Sequence, residues 1–319
     1  MKKILKGVGI AVAVLTMVFF AGPRTKVDLE LKSIDLPDDL DQYLAQSEAR
    51  FSDIVPGTEK IIVWANSSKA KTSLSIIYLH GYSGTRQETA PLSDEVAAEF
   101  EANLFYTRLS GHGRSNAAMA EPAVSDWLDD TMEALEIGRR IGEKVVVIGT
   151  STGGTLATWL AEQPGTEDVL AYIMISPNYA PRDRNSEILT LPWAKQFVPL
   201  LVGPEYSWTP INPAHAKYWT HRYPSTALVT MMGLVKYVRE SDLKSIEKPV
   251  FVIYSPNDQV VNSEEVERRF AQFGSDAKEI YPIVDSGNPE NHVLAGDILA
   301  PNNTQVVRDL ILRFISRLQ

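Results

Sequence analysis

The chain has no cysteine, which excludes disulfides and thiolate metal sites and leaves the redox compartment open. Positive charge is also scarce: 31 Lys and Arg stand against 40 Asp and Glu, a net charge of −9. The balance is more acidic still once the lysines of the N-terminal segment are set aside. This argues against a phosphate-backbone partner, so no nucleic acid is expected. Internal repeats and low-complexity tracts are lacking too, which removes solenoid and linker architectures. What remains is 319 residues at 44% hydrophobic composition, enough for one large α/β domain or two small ones.

One apolar run stands out. MKKILKGVGIAVAVLTMVFFAGPRTK has a basic start and an uninterrupted apolar or small stretch from Gly7 to Gly22, the pattern of an export signal. Residues 1–23 read as a signal anchor, a tight fit to a ~30 Å hydrocarbon core. Cleavage is disfavoured because Phe19 or Phe20 would occupy the −3 position. With Lys2, Lys3 and Lys6 held inside, the expected place is a bacterial inner membrane, with everything after Pro23 on the periplasmic, non-cytoplasmic face. Release after signal cleavage is the alternative. Residues 24–57 read as an acidic spacer with one docking helix, in which Leu40, Tyr43, Leu44 and Phe51 fall near helical spacing.

From residue 58 onward, strand and helix patterns alternate. Thr58–Trp64 and Leu74–Leu79 read as strands joined through Asn66-Ser67-Ser68 in a hairpin-like opening. Further strands are expected at 103–107, 145–148, 171–175, 250–254 and 279–284, with helices at 88–102, 125–141, 263–273 and 304–318. The alternation implies an α/β fold with a mostly parallel central sheet covered by helices on both faces. Residues 178–248 are too long for a simple connection. They are rich in proline and aromatics, with Trp193, Trp208 and Trp219 among them.

The organising stretch is Lys144–Gln163. Its strand runs into Gly149-Thr150-Ser151-Thr152-Gly153, a G-x-S-x-G at a strand-to-helix corner, the context of a nucleophile elbow. Ser151 needs a strained backbone there, and Gly149, Gly153 and Gly154 give the strand and helix room to cross. Ligands bind outside the carboxyl ends of such strands. Asp258, after the 250–254 strand, and His292, before the last helix, complete the chain order nucleophile, acid, base. A serine hydroxyl needs an imidazole to take its proton, and the imidazole needs a carboxylate to fix its tautomer. Asp285 is the competing acid. The oxyanion donors expected are the backbone N–H groups of Thr152 and of Tyr82, the latter in His80-Gly81-Tyr82-Ser83-Gly84. His80 and His112 read as loop architecture. His215 and His221 have no third ligand partner in the sequence, so no metal is expected.

These residues resemble the α/β-hydrolase family, in particular its bacterial carboxylesterases and monoacylglycerol-lipase-like members, from about Thr58 to the C-terminus. The matching features are the Gly149–Gly153 elbow, the His80-Gly81 and Gly111-His112-Gly113 loops, and the late aspartate and histidine. The chain lacks the multi-glycine oxyanion loop of one lipase group. The resemblance implies an α/β-hydrolase fold over residues 58–319 with a cap inserted at about 178–248. It further implies a cofactor-free Ser151-Asp258-His292 serine hydrolase. The expected substrate is a small-molecule or lipid-like carboxylic ester with an apolar acyl part. Thioesters or amides cleaved by the same triad, and a non-catalytic binding protein on the same scaffold, are the alternatives.

Overall fold

A computed structural model describes residues 2–319. Two helices precede the sheet: α1 (Lys2–Phe20) and α2 (Leu40–Glu48). The next elements are β1 (Ile61–Val63), β2 (Thr72–Leu79), α3 (Leu92–Glu99), β3 (Asn103–Tyr106), α4 (Val124–Ile141), β4 (Gly142–Thr150), α5 (Thr152–Ala161) and β5 (Val169–Ile175). The segment that follows holds α6 (Ala194–Val202), β6 (Glu205–Ser207), α7 (Pro213–Tyr218), β7 (Arg222–Pro224) and α8 (Ala227–Arg239). The chain then completes the main sheet with β8 (Val250–Tyr254), α9 (Ser263–Gln272), β9 (Lys278–Pro282) and α10 (Thr304–Ser316).

The main sheet has the order β1-β3-β2-β4-β5-β8-β9, with only β1 antiparallel to its neighbour. Its central strands are runs of Val, Ile, Leu and Tyr because both faces are buried. Successive side chains divide between the faces. Ile77, Val145, Val147 and Met174 join the core under α4, α5 and α8. Their neighbours Ile76, Val146, Ile148 and Ile173 join a second core with α3 and α10. The parallel, doubly covered sheet expected from the alternation is therefore present.

The hairpin-like opening is not. β1 pairs with β3 rather than β2, so β3 lies between the two strands expected to be neighbours. Asn103 at the start of β3 explains how the connection passes over: its Oδ1 accepts from Ala65 N at 2.9 Å and its Nδ2 donates to Ala70 O at 2.9 Å. A side chain thus satisfies the backbone that a hairpin would have paired with itself. The helix expected from residue 88 starts at Leu92 instead, with Pro91 as its N-cap. A residue preceding proline is biased away from helical dihedrals, which sets the boundary.

The N-terminal segment requires a larger correction. It forms α1, but among the described residues no helix is long and apolar enough to cross a membrane. Lys2, Lys3 and Lys6 take up the first turn and a half of this 19-residue helix. The uncharged remainder, Gly7–Phe20, rises only about 21 Å, short of a ~30 Å hydrocarbon core. The transmembrane anchor, the membrane partner and the non-cytoplasmic placement built on it, tethered or cleaved, lose their support.

Candidate active site

The corner between β4 and α5 is built by close backbone approach. A Cβ on Gly149 would come within 2.4 Å of Gly153 O, and one on Gly153 within 1.9 Å of Leu79 O. Only glycine fits either position. Ser151, at the apex, is held at φ 52°, ψ −115°, a conformation that L-residues adopt only when the surroundings enforce it. The enforcement is visible: Ser151 N donates to Ile175 O at 2.9 Å, and Ser151 O accepts from Asn178 N at 3.0 Å and Thr155 N at 3.1 Å. Both flanks of the serine are therefore locked to the end of β5 and the first turn of α5.

Asp258 follows β8 and is 1% exposed. Its Oδ1 accepts from Val260 N at 2.7 Å and Val261 N at 2.9 Å, which fixes the carboxylate plane. Its Oδ2 is 2.8 Å from His292 Nδ1. Burial pulls the His292 pKa down, but the Asp258 carboxylate, with help from Glu88 and Glu290, outweighs it and holds the imidazole above its ordinary value. The His292 backbone is pinned as well, its carbonyl accepting from Ser176 Oγ at 2.8 Å. Ser176 directly follows Ile175, the residue that anchors Ser151. The structure thus joins Asp258 to His292 and ties both to the strand end that holds Ser151. No hydrogen bond links Ser151 to His292 among the described residues; without substrate such contacts are commonly long. Asp285 is exposed and not joined to His292, its Oδ1 accepting from Gly287 N at 2.8 Å.

The loop after β2 lies against the elbow: a Cβ on Gly81 would come 3.1 Å from Ser151 Cβ. His80 braces it, with Nε2 accepting from Leu109 N at 3.0 Å and Nδ1 within 2.9 Å of Gly81 O. Burial drives the His80 pKa well below its usual value, so the ring is a neutral structural member. His112 packs edge-on to His80 and Tyr82, and burial takes its pKa down to about 4. Gly81 N donates to Glu88 Oε1 at 2.6 Å, while Tyr82 N–H donates to nothing among the described residues. Thr152 is the first residue of α5, where an N–H has no intrahelical acceptor. Among the described residues the Tyr82 and Thr152 amides are thus both without a protein acceptor.

Glu88 was hidden from sequence reasoning inside a helix-like pattern. It sits instead on a short 3₁₀ turn, Arg86–Glu88, and is 2% exposed. The available signal was an acidic residue four and seven positions after Gly84 and Gly81, in a stretch ending at a proline.

The segment between β5 and β8 lies across this loop. Thr220 N donates to Ser83 O at 2.8 Å, Tyr223 packs edge-on to Tyr82, and Trp219 clusters with Val293, next to His292.

The doubly covered parallel sheet with a G-x-S-x-G elbow at the β4–α5 corner is the α/β-hydrolase fold. Residues 70–283 match the Hydrolase_4 family, described as serine aminopeptidase, S33, and the chain belongs to that family of serine hydrolases. A thermostable monoacylglycerol lipase from Bacillus sp. (strain H-257) is 30% identical over 89 residues, 28% of this chain. That match spans only 35% of the relative's length. Among solved structures, one reported for the metagenome-derived lipolytic enzymes LipS and LipT superposes with a TM-score of 0.68 at 23% identity, covering 83% of this chain and 99% of that one. A soluble variant of monoglyceride lipase from Saccharomyces cerevisiae, in complex with a substrate analogue, gives 0.64 at 12% identity, covering 82% and 92%. Similarity at these identities concerns the fold.

Proposed function

We propose that this chain is a serine esterase that cleaves a carboxylic ester with an apolar acyl group, using Ser151, His292 and Asp258. The observation that carries the reading is the Asp258 Oδ2 to His292 Nδ1 contact of 2.8 Å, its carboxylate clamped by two backbone amides, beside a serine held at positive φ. His292 takes the Ser151 proton as Oγ attacks the ester carbonyl. The Tyr82 and Thr152 amides then receive the oxyanion. Collapse breaks the bond to the leaving alkoxide, which takes the proton from His292. Water, deprotonated by His292, cleaves the acyl-enzyme by the same route and returns the serine. Asp258 fixes the imidazole tautomer and supports its charged form throughout.

Residues 178–248 are the cap in this reading, over a hydrolase domain of residues 58–319 to which residues 24–57 dock. The packing of Thr220, Tyr223 and Trp219 on the Tyr82 loop and on Val293 supports it. Trp219, clustered with Val293 beside His292 in the chain, favours an apolar acyl group over a charged one. The monoacylglycerol lipase relative points to a lipid-like ester. The family description as an aminopeptidase gives the amide reading a place in the test.

The test is turnover of acyl p-nitrophenyl esters, thioesters and anilides of graded chain length by the full chain and by Ser151→Ala. Ester hydrolysis that is lost in the variant is expected. Turnover of anilides with none of esters would overturn the ester assignment, and unchanged hydrolysis in the variant would overturn the nucleophile.

A further inference from the structure

Beyond these roles the site contains a buried acid that the reaction does not consume. Glu88 Oε1 accepts from Gly81 N at 2.6 Å and from Tyr78 Oη at 2.8 Å. Tyr78 Oη in turn receives Thr89 Oγ1 at 2.8 Å and lies 3.1 Å from Thr150 Oγ1. Thr150 directly precedes Ser151. One carboxylate therefore connects the loop that carries Tyr82 to the strand end that carries the serine. The loop is wrapped around it: a Cβ on Gly81 or Gly84 would come to 2.9 or 2.5 Å from Glu88 Oε2. The third partner is the histidine loop, since a Cβ on Gly296 would meet Glu88 O at 2.7 Å and Asp297 N donates to Ala90 O at 2.9 Å.

We propose that Glu88 is a positioning residue of the catalytic centre, holding the Gly81 amide so that the next amide, Tyr82 N–H, is left for the oxyanion, with its negative charge in electrostatic reach of His292. The inference rests on the triad reading above. Gly81 N is the neighbouring amide that would compete for the oxyanion, and Glu88 occupies it. A charged acceptor makes that bond about twice as strong as a neutral one, which stiffens the loop before substrate arrives. The charge also favours the imidazolium that forms when Ser151 loses its proton, adding to Asp258.

Burial raises the Glu88 pKa to about 7, against the opposing effects of the Tyr78 hydroxyl, the Gly81 amide and His292. The titratable groups facing the carboxylate are Tyr78 from β2 and His292 from the loop before α10. Arg86, on the same turn, lies over the Tyr106 ring at 5.5 Å, Asp297 is exposed, and Trp219 brings no charge from the inserted segment. Because folding raises this pKa, the ionised group costs stability. The cost is absent below the unfolded carboxyl pKa and complete above about 7. A carboxylate here weakens the fold in the pH range where it would serve catalysis.

The experiment compares wild type, Glu88→Gln and Tyr78→Phe as full chains. It measures kcat and KM on a p-nitrophenyl acyl ester from pH 5.5 to 9, and thermal unfolding at pH 5 and pH 8.5. Glu88→Gln keeps an acceptor for Gly81 but loses the charge. Its kcat should fall about tenfold or more with little change in KM. The acid limb of kcat/KM should move to lower pH, and Tm should rise above wild type at pH 8.5 but not at pH 5. Tyr78→Phe removes a donor that favours the charged form, so its acid limb should move the opposite way. A Glu88→Gln variant with wild-type kcat and pH profile overturns the proposal, as does a variant that is less stable than wild type at pH 8.5. If Glu88→Gln does not fold, an unmoved or downward-shifted acid limb in Tyr78→Phe overturns it instead. Failure of the triad reading is distinguished by wild type itself, which would then show no Ser151-dependent turnover.

Discussion

Replacing Glu48 by alanine removes one half of a buried ion pair that fastens α2 to the catalytic domain. Arg108 Nε and Nη2 donate to Glu48 Oε2 and Oε1, both at 2.8 Å, a bidentate geometry, and the two side chains are 3% and 9% exposed. Glu48 Oε2 also receives Lys60 N at 3.0 Å. Alanine would leave a guanidinium buried, its remaining bond running from Nη1 to His112 O at 3.1 Å and its face over Phe51 at 5.2 Å. Breaking one side of such a pair costs about 3–5 kcal/mol, most of it the uncompensated charge. With an unfolding entropy of about 2.1 cal/mol/K per residue, a chain of 319 residues should lose roughly 5–8 °C in Tm. Calorimetry on wild type and Glu48→Ala measures this, and Arg108→Met added to Glu48→Leu should recover most of the loss. A drop below about 2 °C would mean that the pair is solvated and that α2 is not docked through it.

Three further outcomes follow from the site geometry. Asp258→Asn should lose several orders of magnitude in kcat, whereas Asp285→Asn should stay near wild type, because only Asp258 reaches His292; steady-state kinetics with the reverse ranking would move the acid to the other loop. In wild type, kcat/KM should rise with pH through an apparent pKa above the ordinary imidazole value, since His292 is held up and must be neutral to act as base; a profile flat from pH 5 to 9 in folded protein would rule out that role. Gly153→Ala puts a methyl 1.9 Å from Leu79 O, so it should abolish soluble folded protein or esterase activity, measured by circular dichroism and turnover; a fully active variant would contradict the close crossing.

The sequence carried the elbow because its chemistry is local: Gly149, Ser151 and Gly153 fall within five residues of one corner, and the flanking Val and Leu periods announce strand and helix. Chain order and strand ends pointed to Asp258 and His292 with Asp285 as the competing acid, and the fold brings Asp258, not Asp285, within 2.8 Å of the His292 ring. Pairings between distant segments were not readable. Nothing local to Ile61 or Leu74 says that Asn103 will satisfy the backbone of the connecting loop and that β3 will come between them. Glu88 was masked for a related reason, since its partners Tyr78 and Gly81 and its histidine neighbour are assembled by the sheet. The anchor expectation took the apolar run from Gly7 to Gly22 as a tight fit to the hydrocarbon core, with Lys2, Lys3 and Lys6 held inside. Among the described residues no helix meets the requirement to cross a membrane.

The most direct measurement is covalent labelling with a fluorophosphonate, which reacts with a serine only when its hydroxyl is activated by a neighbouring base. Peptide mapping of the labelled full chain should place a single adduct on Ser151. The adduct should be absent from Ser151→Ala and strongly reduced in His292→Ala, with both variants folded. A wild-type chain that hydrolyses esters but is labelled elsewhere, or that labels equally well without His292, would contradict the assignment of Ser151 and His292 as nucleophile and base.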